Sequence, residues 1–255
     1  MSSGWTNFYS EQGPRGNPAK VLSSDGAPRI TQRINGLAEA ATPHNSTMNP
    51  SPRPPRTLLL DFDGVLAHYS RPARLARLAA HAGCSASDVH QALFVSGLET
   101  TYDAGELETG DYLDRLGKAI GRAIDEDTWI AARIAACRPF ATTVETATRL
   151  ARKMPVAILT NNGPLMARAI EQIVPALAPA LAGRIFCSAQ FSGRKPQREI
   201  FLRTLEAIDA APEQTLFIDD LFVNVQGART AGLHAETAHD ERSFRRVMTR
   251  YQLTD

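Results

Sequence analysis

Two pairs of aspartates lie where apolar runs of this chain give way to polar residues. Asp61 and Asp63 come directly after one such run, and Asp219 and Asp220 end or follow another far along the chain. Several carboxylates cannot share one site without a compensating cation, because like charges raise one another's pKa. Oxygen-only ligation suits a hard divalent ion such as Mg²⁺. The two pairs therefore predict a magnesium site.

Hydroxyl, amide and ammonium groups follow other segments of the chain. Thr160 and Asn161 come at the end of an apolar run, and Lys195 precedes a helical pattern. Beside a metal ion and a carboxylate nucleophile, such groups bind the oxygens of a phosphoryl group and stabilise the charge that develops on them. Each segment alone also fits an ordinary turn, helix cap or solvated loop. The four segments in this order favour a phosphoryl-transfer site.

The elements that must position these groups are strands separated by intervals too long for hairpins. The predicted strands cover residues 57–62, 156–160, 184–187, 215–219 and, more weakly, 234–236. Helical patterns lie between the later ones, and this alternation is typical of a parallel sheet covered on both faces. Ligands of such α/β sheets bind beyond the carboxyl ends of the strands. We therefore expect the four polar segments to meet at one edge of the sheet.

The interval between the first two strands is far longer than one crossover helix requires. It contains helical patterns and no good strand; the patterns cover residues 72–82, 86–95, 109–123 and 126–136. We interpret residues 71–136 as an α-helical cap inserted after the first strand. Residues 56–70 and 137–255 then form the α/β catalytic core.

Residues 1–55 differ in composition from the rest of the chain. They are rich in Ser, Asn, Gly, Pro and Thr, contain few large aliphatic residues and end in a proline-rich run. Such a segment buries too little apolar surface to offset the entropy lost on ordering. The composition therefore predicts a disordered N-terminal arm.

The composition of the whole chain excludes several classes of protein. The 255 residues include 28 basic and 27 acidic side chains, a formal net charge of +1 that argues against nucleic-acid binding. Three scattered cysteines indicate neither a disulfide framework nor a zinc site. No run approaches the about 18 apolar residues that a membrane span needs. We therefore expect a cytoplasmic protein that binds no membrane, and leave a homodimer open.

Four ordered motifs resemble those of the haloacid dehalogenase superfamily of hydrolases. The resemblance extends from about residue 57 to residue 248, and the motifs read LDFDGVL at 60–66, LTNN at 159–162, RKP at 194–196 and FIDD at 217–220 with an Asn-Val pair at 224–225. The family implies a Rossmann-like core with the first-motif strand at its centre, and a flap and helical cap inserted after that strand.

The resemblance also implies roles for the individual residues. Asp61 is then the nucleophile that forms an aspartyl-phosphate, and Asp63 is the general acid and base. The metal ligands are the carboxylates of Asp61 and Asp220 and the backbone carbonyl of Asp63. Two further roles complete the set: Asp219 supports the metal shell, and phosphate is bound by Thr160, Asn161 and Lys195.

The acid at position 63 indicates the type of reaction. Family members that cleave carbon–halogen bonds lack an acid there, because halide leaves without a proton. The expected activity is therefore Mg²⁺-dependent hydrolysis of a small phosphate monoester, such as a sugar phosphate. Within the family, residues 99–110 and 193–201 look most like the small bacterial sugar-phosphate phosphatases and the phosphatase domain of soluble epoxide hydrolase.

Two rival hypotheses remain at this point. A phosphomutase shares the aspartyl-phosphate but returns the phosphoryl group to a sugar, so released phosphate measured against isomer separates the two. A non-catalytic regulatory or binding protein of the same fold is expected to lose the nucleophile, the acid or a metal ligand, and this sequence retains all of them.

Overall fold

A computed structural model describes residues 54–254 of the chain. The strands in this part are β1 (Thr57–Leu60), β2 (Ala67–Tyr69), β3 (Cys137–Pro139), β4 (Val156–Thr160), β5 (Ile185–Cys187), β6 (Thr215–Asp219) and β7 (His234–Thr237). Five of them form one parallel sheet in the order β5–β4–β1–β6–β7, and β2 pairs with β3 in a separate antiparallel ribbon. The predicted α/β fold with a Rossmann-like parallel sheet is confirmed.

Helices cover both faces of this sheet and fill the long interval after β1. They are α1 (Arg71–Ala82), α2 (Ala86–His90), α3 (Leu98–Asp103), α4 (Thr109–Ile120), α5 (Glu126–Ala136), α6 (Ala141–Leu150), α7 (Leu165–Ile173), α8 (Arg198–Ala207), α9 (Phe222–Thr230) and α10 (Glu241–Arg250). A π-helical turn (Gln91–Val95) follows α2, and 3₁₀ turns occupy Ala178–Leu181, Ser188–Phe191 and Pro212–Gln214.

The central strand β1 is buried on both faces, as its run of leucines predicts. Leu58 and Leu60 point into the larger apolar cluster, which continues into the insertion, while Leu59 points into the cluster on the opposite face. Successive side chains of a strand alternate between faces, so three consecutive leucines seal both sides of the sheet at its centre. Asp61 follows directly after this buried segment.

The first predicted strand extends two residues too far. β1 ends at Leu60, because the backbone carbonyl of Phe62 accepts hydrogen bonds from the N–H groups of the residues at 65, 66 and 67 and curls the chain into a turn. The predicted helix at 109–123 also ends early, at Ile120, because Gly121 takes a left-handed φ of 77° that stops the helix.

The insertion between β2 and β3 consists of α1 to α5 and the π-helical turn. Within residues 71–136 the structure contains no strand, and the two ends of the insertion are held together by the β2–β3 ribbon, in which Ala67 pairs with Pro139 and Tyr69 with Cys137. The sequence patterns predicted neither this ribbon nor α3. The division into a core of 56–70 and 137–255 and a cap of 71–136 stays a prediction.

Most of the N-terminal arm lies outside the described residues. Of the predicted disordered segment 1–55, the structure describes only the last two prolines. Across residues 54–254, no helix has both the length and the apolar character that a membrane crossing requires.

Candidate active site

The first motif leaves the sheet between β4 and β6 and turns sharply. Asp61 follows β1 directly, and its amide N–H donates to the carbonyl of Ile218 in β6 at 2.8 Å. Gly64 has a φ of 84°, and a Cβ at this position would overlap with the carboxylate of Asp220. Only glycine satisfies both conditions without strain. The loops after β1 and β6 can therefore approach closely enough to share one site.

Lys195 connects the first and the last motif. Its Nζ lies 2.9 Å from Oδ1 of Asp61 and 2.6 Å from Oδ2 of Asp219, and it donates to the carbonyl of Leu159 at 3.0 Å. The lysine side chain is 1% exposed and that of Asp219 is fully buried. Buried charges are tolerated only when they are paired and hydrogen-bonded, as here. The structure thus brings together three of the residues predicted from separate motifs.

Asn161 holds the backbone of Lys195. Its side-chain Oδ1 accepts from the lysine N–H at 2.9 Å, and its Nδ2 donates to the lysine carbonyl at 3.0 Å. Both ends of the amide are therefore engaged with Lys195, and Asn161 reaches the site chiefly by fixing that residue. Its predicted role as a direct phosphate ligand stays a prediction, because the second N–H of the amide is not used in these two bonds.

Burial and neighbouring negative charges disfavour the ionised form of the carboxyl groups in this site. Burial, only partly offset by the cation of Lys195, raises the pKa of Asp61 to about 8. Burial and the charge of Asp219 raise the pKa of Asp220 to about 6. Burial alone would lower the pKa of Lys195, but Asp61 and Asp219 raise it above its ordinary value. These directions mean that the site holds more negative charge than its own lysine compensates.

Three carboxylates are placed where one cation can reach them all. Asp61, Asp219 and Asp220 each offer an oxygen, and these oxygens lie within 4.8 Å of one another. The all-oxygen donor set and the raised pKa values fit a hard divalent ion such as Mg²⁺. Asp219 is also held by Asn224, whose Nδ2 donates to both carboxylate oxygens at 2.9 and 3.1 Å.

The carboxylate of Asp63 is not part of this group and turns towards the insertion. Its Oδ2 lies 2.8 Å from Nη2 of Arg133, a residue of α5 that is 70 positions away in sequence. Asn162 approaches the same oxygen at 3.5 Å and donates to the hydroxyl of Thr160 at 2.8 Å. The orientation leaves the predicted metal contact of Asp63, through its backbone carbonyl, untested.

Sequence reasoning missed Arg133, although a signal was present. Trp129, Ile130 and Ala136 lie on the buried face of α5, and Arg133 lies on that face three residues from Ile130 and from Ala136. A charged residue in the middle of an apolar stripe needs a buried partner, because an unpaired charge there is costly. The pattern predicts that a partner exists but not which residue it is.

The insertion also contacts the second-motif loop through α3. Asp103 accepts from the N–H of Gly163 at 2.8 Å, and the hydroxyl of Tyr102 accepts from the N–H of Leu165 at 3.2 Å. The ring of Tyr102 lies against Gly163 so closely that a Cβ at that glycine would overlap with it. These contacts hold the loop that follows Thr160 against the helical insertion.

The predicted site residues line one cavity of about 570 Å³. Its floor contains Asp61, Asp63, Thr160, Asn161, Lys195 and Asp220. Asp219 lies beneath this floor, fully buried. The remaining lining comes from β2, the start of the insertion and the segments that follow the other strands: Gly64, His68, Tyr69, Arg71, Phe140, Asn162, Arg194, Leu221, Asn224 and His239. A cavity of this size accommodates a small ligand.

Several solved structures share this fold. A haloacid dehalogenase (HAD) family enzyme of Bacteroides thetaiotaomicron, solved in complex with magnesium and inorganic phosphate, has a TM-score of 0.63 at 18% identity over 75% of this chain and 98% of its own. A predicted HAD-like family hydrolase of Porphyromonas gingivalis has a TM-score of 0.63 at 22% identity over 78% of this chain and 98% of its own. A HAD phosphatase of Thermococcus onnurineus has a TM-score of 0.54 at 15% identity over 76% and 97%. No curated protein matches the sequence.

The five-stranded parallel sheet, with carboxylates and a lysine converging beyond its strand ends, defines an α/β protein with a carboxylate-rich site. The family model for haloacid dehalogenase-like hydrolases matches residues 55–232. The chain therefore belongs to the haloacid dehalogenase-like hydrolase family. The resemblance read from the four motifs is confirmed, as is the expectation that the protein is a hydrolase.

Proposed function

We propose that this hydrolase is a Mg²⁺-dependent phosphatase that cleaves small phosphate monoesters through an aspartyl-phosphate on Asp61. The observation that carries the proposal is the placement of the Asp61 carboxylate at the floor of the cavity, 2.9 Å from Nζ of Lys195 and beside the carboxylates of Asp219 and Asp220. A carboxylate in this position can attack the phosphorus atom of a phosphoryl group that Lys195 and the metal ion would hold in place.

The charges of the site support a divalent ion and a dianionic substrate. Among the residues that the structure describes, the buried cations beside the carboxylates of Asp61, Asp63, Asp219 and Asp220 are those of Lys195 and Arg133. One Mg²⁺ would balance the remaining two negative charges. The cavity also has Arg71 and Arg194 at its exposed rim. Their two positive charges would compensate the two negative charges of a phosphate monoester dianion. The dianion would pass this basic rim and bind above a floor of neutral net charge.

The metal would be held by the carboxylates of Asp61 and Asp220, with Asp219 supporting them. When bound, it supplies charge neutralisation for the phosphoryl oxygens. The carboxylate oxygen of Asp61 attacks phosphorus, the bond from phosphorus to the ester oxygen breaks, and Asp63 gives a proton to the departing alkoxide. Asp63 then takes a proton from water, which attacks the phosphorus and releases phosphate from Asp61. Lys195 and the hydroxyl of Thr160 stabilise the phosphoryl oxygens in both steps.

The acid–base carboxylate favours phosphate esters over haloacids as substrates. Asp63 is 27% exposed in its side chain and lines the cavity, so it can reach a leaving oxygen. The similar enzyme of Bacteroides thetaiotaomicron, bound to magnesium and inorganic phosphate, lends support from a protein of the same fold. A phosphomutase would use the same residues, and only the products of a sugar phosphate, free phosphate or isomer, separate it from the phosphatase.

Substitution of the two motif aspartates tests the mechanism. Asn at position 61 cannot accept a phosphoryl group, so Asp61→Asn should abolish turnover and leave no acyl-phosphate. Asp63→Asn removes the proton donor and should lower turnover of an alkyl phosphate by about 10²–10⁴-fold. An aryl phosphate with a good leaving group should suffer less in the first step. Rapid-quench mass spectrometry of the wild type and both variants measures the added phosphoryl mass.

The decisive result is the fate of the phosphoryl group in Asp63→Asn. Water attack still needs the base, so phosphoenzyme should accumulate on Asp61 in this variant when an aryl phosphate is supplied. The exposed pair partner Asp114→Asn is a matched control that should change neither turnover nor phosphoenzyme. Slow turnover without any phosphoenzyme would show that water attacks the substrate directly and that the covalent route is wrong.

Other expectations stay predictions from the sequence alone. They are a cytoplasmic location, a small phosphorylated metabolite such as a sugar phosphate as the substrate, a homodimer as the open alternative to a monomer, and no nucleic-acid or membrane partner.

A further inference from the structure

Arg133 is a buried cation that reaches from the helical insertion into the catalytic cavity. Its side chain is 2% exposed, and it belongs to α5, the last helix before the insertion rejoins the core. Its Nη2 lies 2.8 Å from Oδ2 of Asp63. Burial of an arginine carries a large desolvation penalty, which a close carboxylate offsets. The pairing therefore explains how an arginine occupies the apolar face of this helix.

Two further contacts fix the orientation of the guanidinium, and the packing of its helix holds it in place. Its Nε donates to the sulfur of Met166 at 3.2 Å. Its central carbon lies 4.3 Å from the centroid of the Tyr69 ring, on the flap strand β2. α5 packs against α1 of the insertion and α7 of the core. The guanidinium is held by groups from both parts of the molecule, so its Nη2 presents a fixed point to Asp63.

Asp63 has no comparably strong partner elsewhere. Nδ2 of Asn162 approaches the same oxygen at 3.5 Å, and the thiol of Cys137 lies 4.0 Å from the other oxygen. Both distances are at the limit of a hydrogen bond, whereas 2.8 Å is typical of a charge-assisted one. Among the residues that the structure describes, Arg133 is therefore the group that determines where this carboxylate points.

We infer that Arg133 is a positioning residue for the acid–base step, holding Asp63 in the orientation in which it exchanges a proton with the leaving oxygen and with water. The inference rests on the proposed function, because it assigns a helper to its proposed acid. A misplaced acid costs rate without costing substrate binding, since the phosphate is bound by other groups. The loss should therefore appear in kcat, should leave KM nearly unchanged, and should be larger for poor leaving groups.

A purely structural role for Arg133 would give a different pattern. Loss of a buried ion pair lowers the stability of the fold, and a loosened fold should slow all substrates alike. The insertion offers a matched control in Arg74, an equally buried arginine of α1 that pairs with Glu99 and contacts Tyr112 but not Asp63. Substitution of Arg74 damages the packing of the insertion without touching the acid.

The experiment compares Arg133→Lys and Arg133→Met with Arg74→Lys, using p-nitrophenyl phosphate as the aryl ester and glycerol 3-phosphate as the alkyl ester. Lysine keeps the positive charge of arginine but not its planar guanidinium. Arg133→Lys therefore changes the geometry of the contact with Asp63 while keeping a cation at the buried position. Both Arg133 variants should lower the ratio of alkyl to aryl turnover by about 10-fold or more, within the range of acid catalysis. Arg74→Lys should change this ratio less than about 2-fold, whatever its thermal midpoint.

A double-mutant cycle with Asp63→Asn provides the second readout. If Arg133 acts through Asp63, then adding Arg133→Lys to Asp63→Asn should leave the alkyl-to-aryl ratio unchanged, because the acid is already lost. An unchanged ratio in both single Arg133 variants, or an undiminished effect in the Asp63→Asn background, would overturn the inference. Failure of the proposed function looks different, since the wild type would then form no phosphoenzyme on Asp61.

Discussion

Replacement of Lys195 by methionine removes the cation at the centre of the site while keeping a side chain of similar length. The change leaves Asp61 and Asp219 without the ammonium that lies 2.9 and 2.6 Å from their oxygens. Both carboxylates are buried, with side-chain exposures of 10% and 0%. Water therefore cannot take the place of the missing partner, and we expect loss of stability as well as loss of activity.

The size of this loss follows from the burial. Removal of one partner of a buried ion pair costs about 3–5 kcal/mol in the free energy of unfolding. In a folded part of about 200 residues, 1 kcal/mol corresponds to about 2–4 °C in the thermal midpoint, so Lys195→Met should lose about 6–20 °C. The matched control is Lys118→Met, since Lys118 pairs with Asp114 at 2.8 Å but is 75% exposed. Exposed helical pairs contribute about 0.3–0.5 kcal/mol.

The deficit of Lys195→Met should also depend on pH. Burial raises the folded-state pKa of Asp61 to about 8, and Lys195 is the main group that lowers it, so its removal should raise this pKa further. An acid whose folded pKa exceeds its unfolded value of about 3.9 contributes stability below that value, and this stability is lost as pH rises through the folded pKa. The variant should therefore lose more relative to wild type at pH 9 than at pH 7, because the wild-type carboxyl ionises near its pKa of about 8 and that of the variant only at higher pH.

Thermal unfolding followed by circular dichroism measures both effects. Scans of wild type, Lys195→Met and Lys118→Met at pH 7 and pH 9, all in EDTA, give the required differences. Equal midpoints for the two lysine variants would refute the claim that the ion pairs of Lys195 stabilise the fold. A deficit that shrinks as pH rises would refute the assignment of its origin to buried carboxylates.

Two further predictions concern the metal and the second-motif loop. Because Mg²⁺ competes with protons for Asp61 and Asp220, whose pKa values are raised to about 8 and about 6, Mg²⁺ should raise the thermal midpoint more at pH 8 than at pH 5.5 and EDTA should abolish turnover; full turnover in EDTA would contradict this. Gly163→Ala should lower the stability by about 1–3 kcal/mol, because its Cβ overlaps with the Tyr102 ring, which is stacked on another tyrosine. The control is Gly110→Ala, because a Cβ at Gly110 meets no atom within 4 Å. Equal thermal midpoints for the two variants would show that the loop shifts to accommodate the added methyl group.

The sheet could be predicted because its signals are local. Runs such as the leucines of β1 are buried on both faces, and no tertiary information is needed to recognise them. β4 and β6 are also buried on both faces and appear in the sequence as equally clear apolar runs. Both strands have the predicted bounds. The polar residues that follow these runs meet at one edge of the sheet because parallel strands end there, so the composition of the site was predictable too.

The β2–β3 ribbon and α3 could not be predicted in the same way. Each strand of the ribbon has only three residues, too few for an alternation of apolar and polar side chains to be distinguished from chance. α3 has six residues and buries Glu99 together with Tyr102, so its inner face does not read as apolar. Glu99 is buried because Arg74 and Tyr112 satisfy it, and both partners come from other helices.

The contacts between insertion and core are the part of the site that sequence patterns predict least. Asp103 and Tyr102 contact the loop that follows Thr160, and Arg133 contacts Asp63, so the insertion reaches two of the motif loops and not only the rim of the cavity. The partner of a buried charge is determined by tertiary packing, whereas the need for one is visible in the sequence. A charged residue on the apolar face of an inserted helix is therefore the feature to search for when a relative of this fold is read from sequence alone.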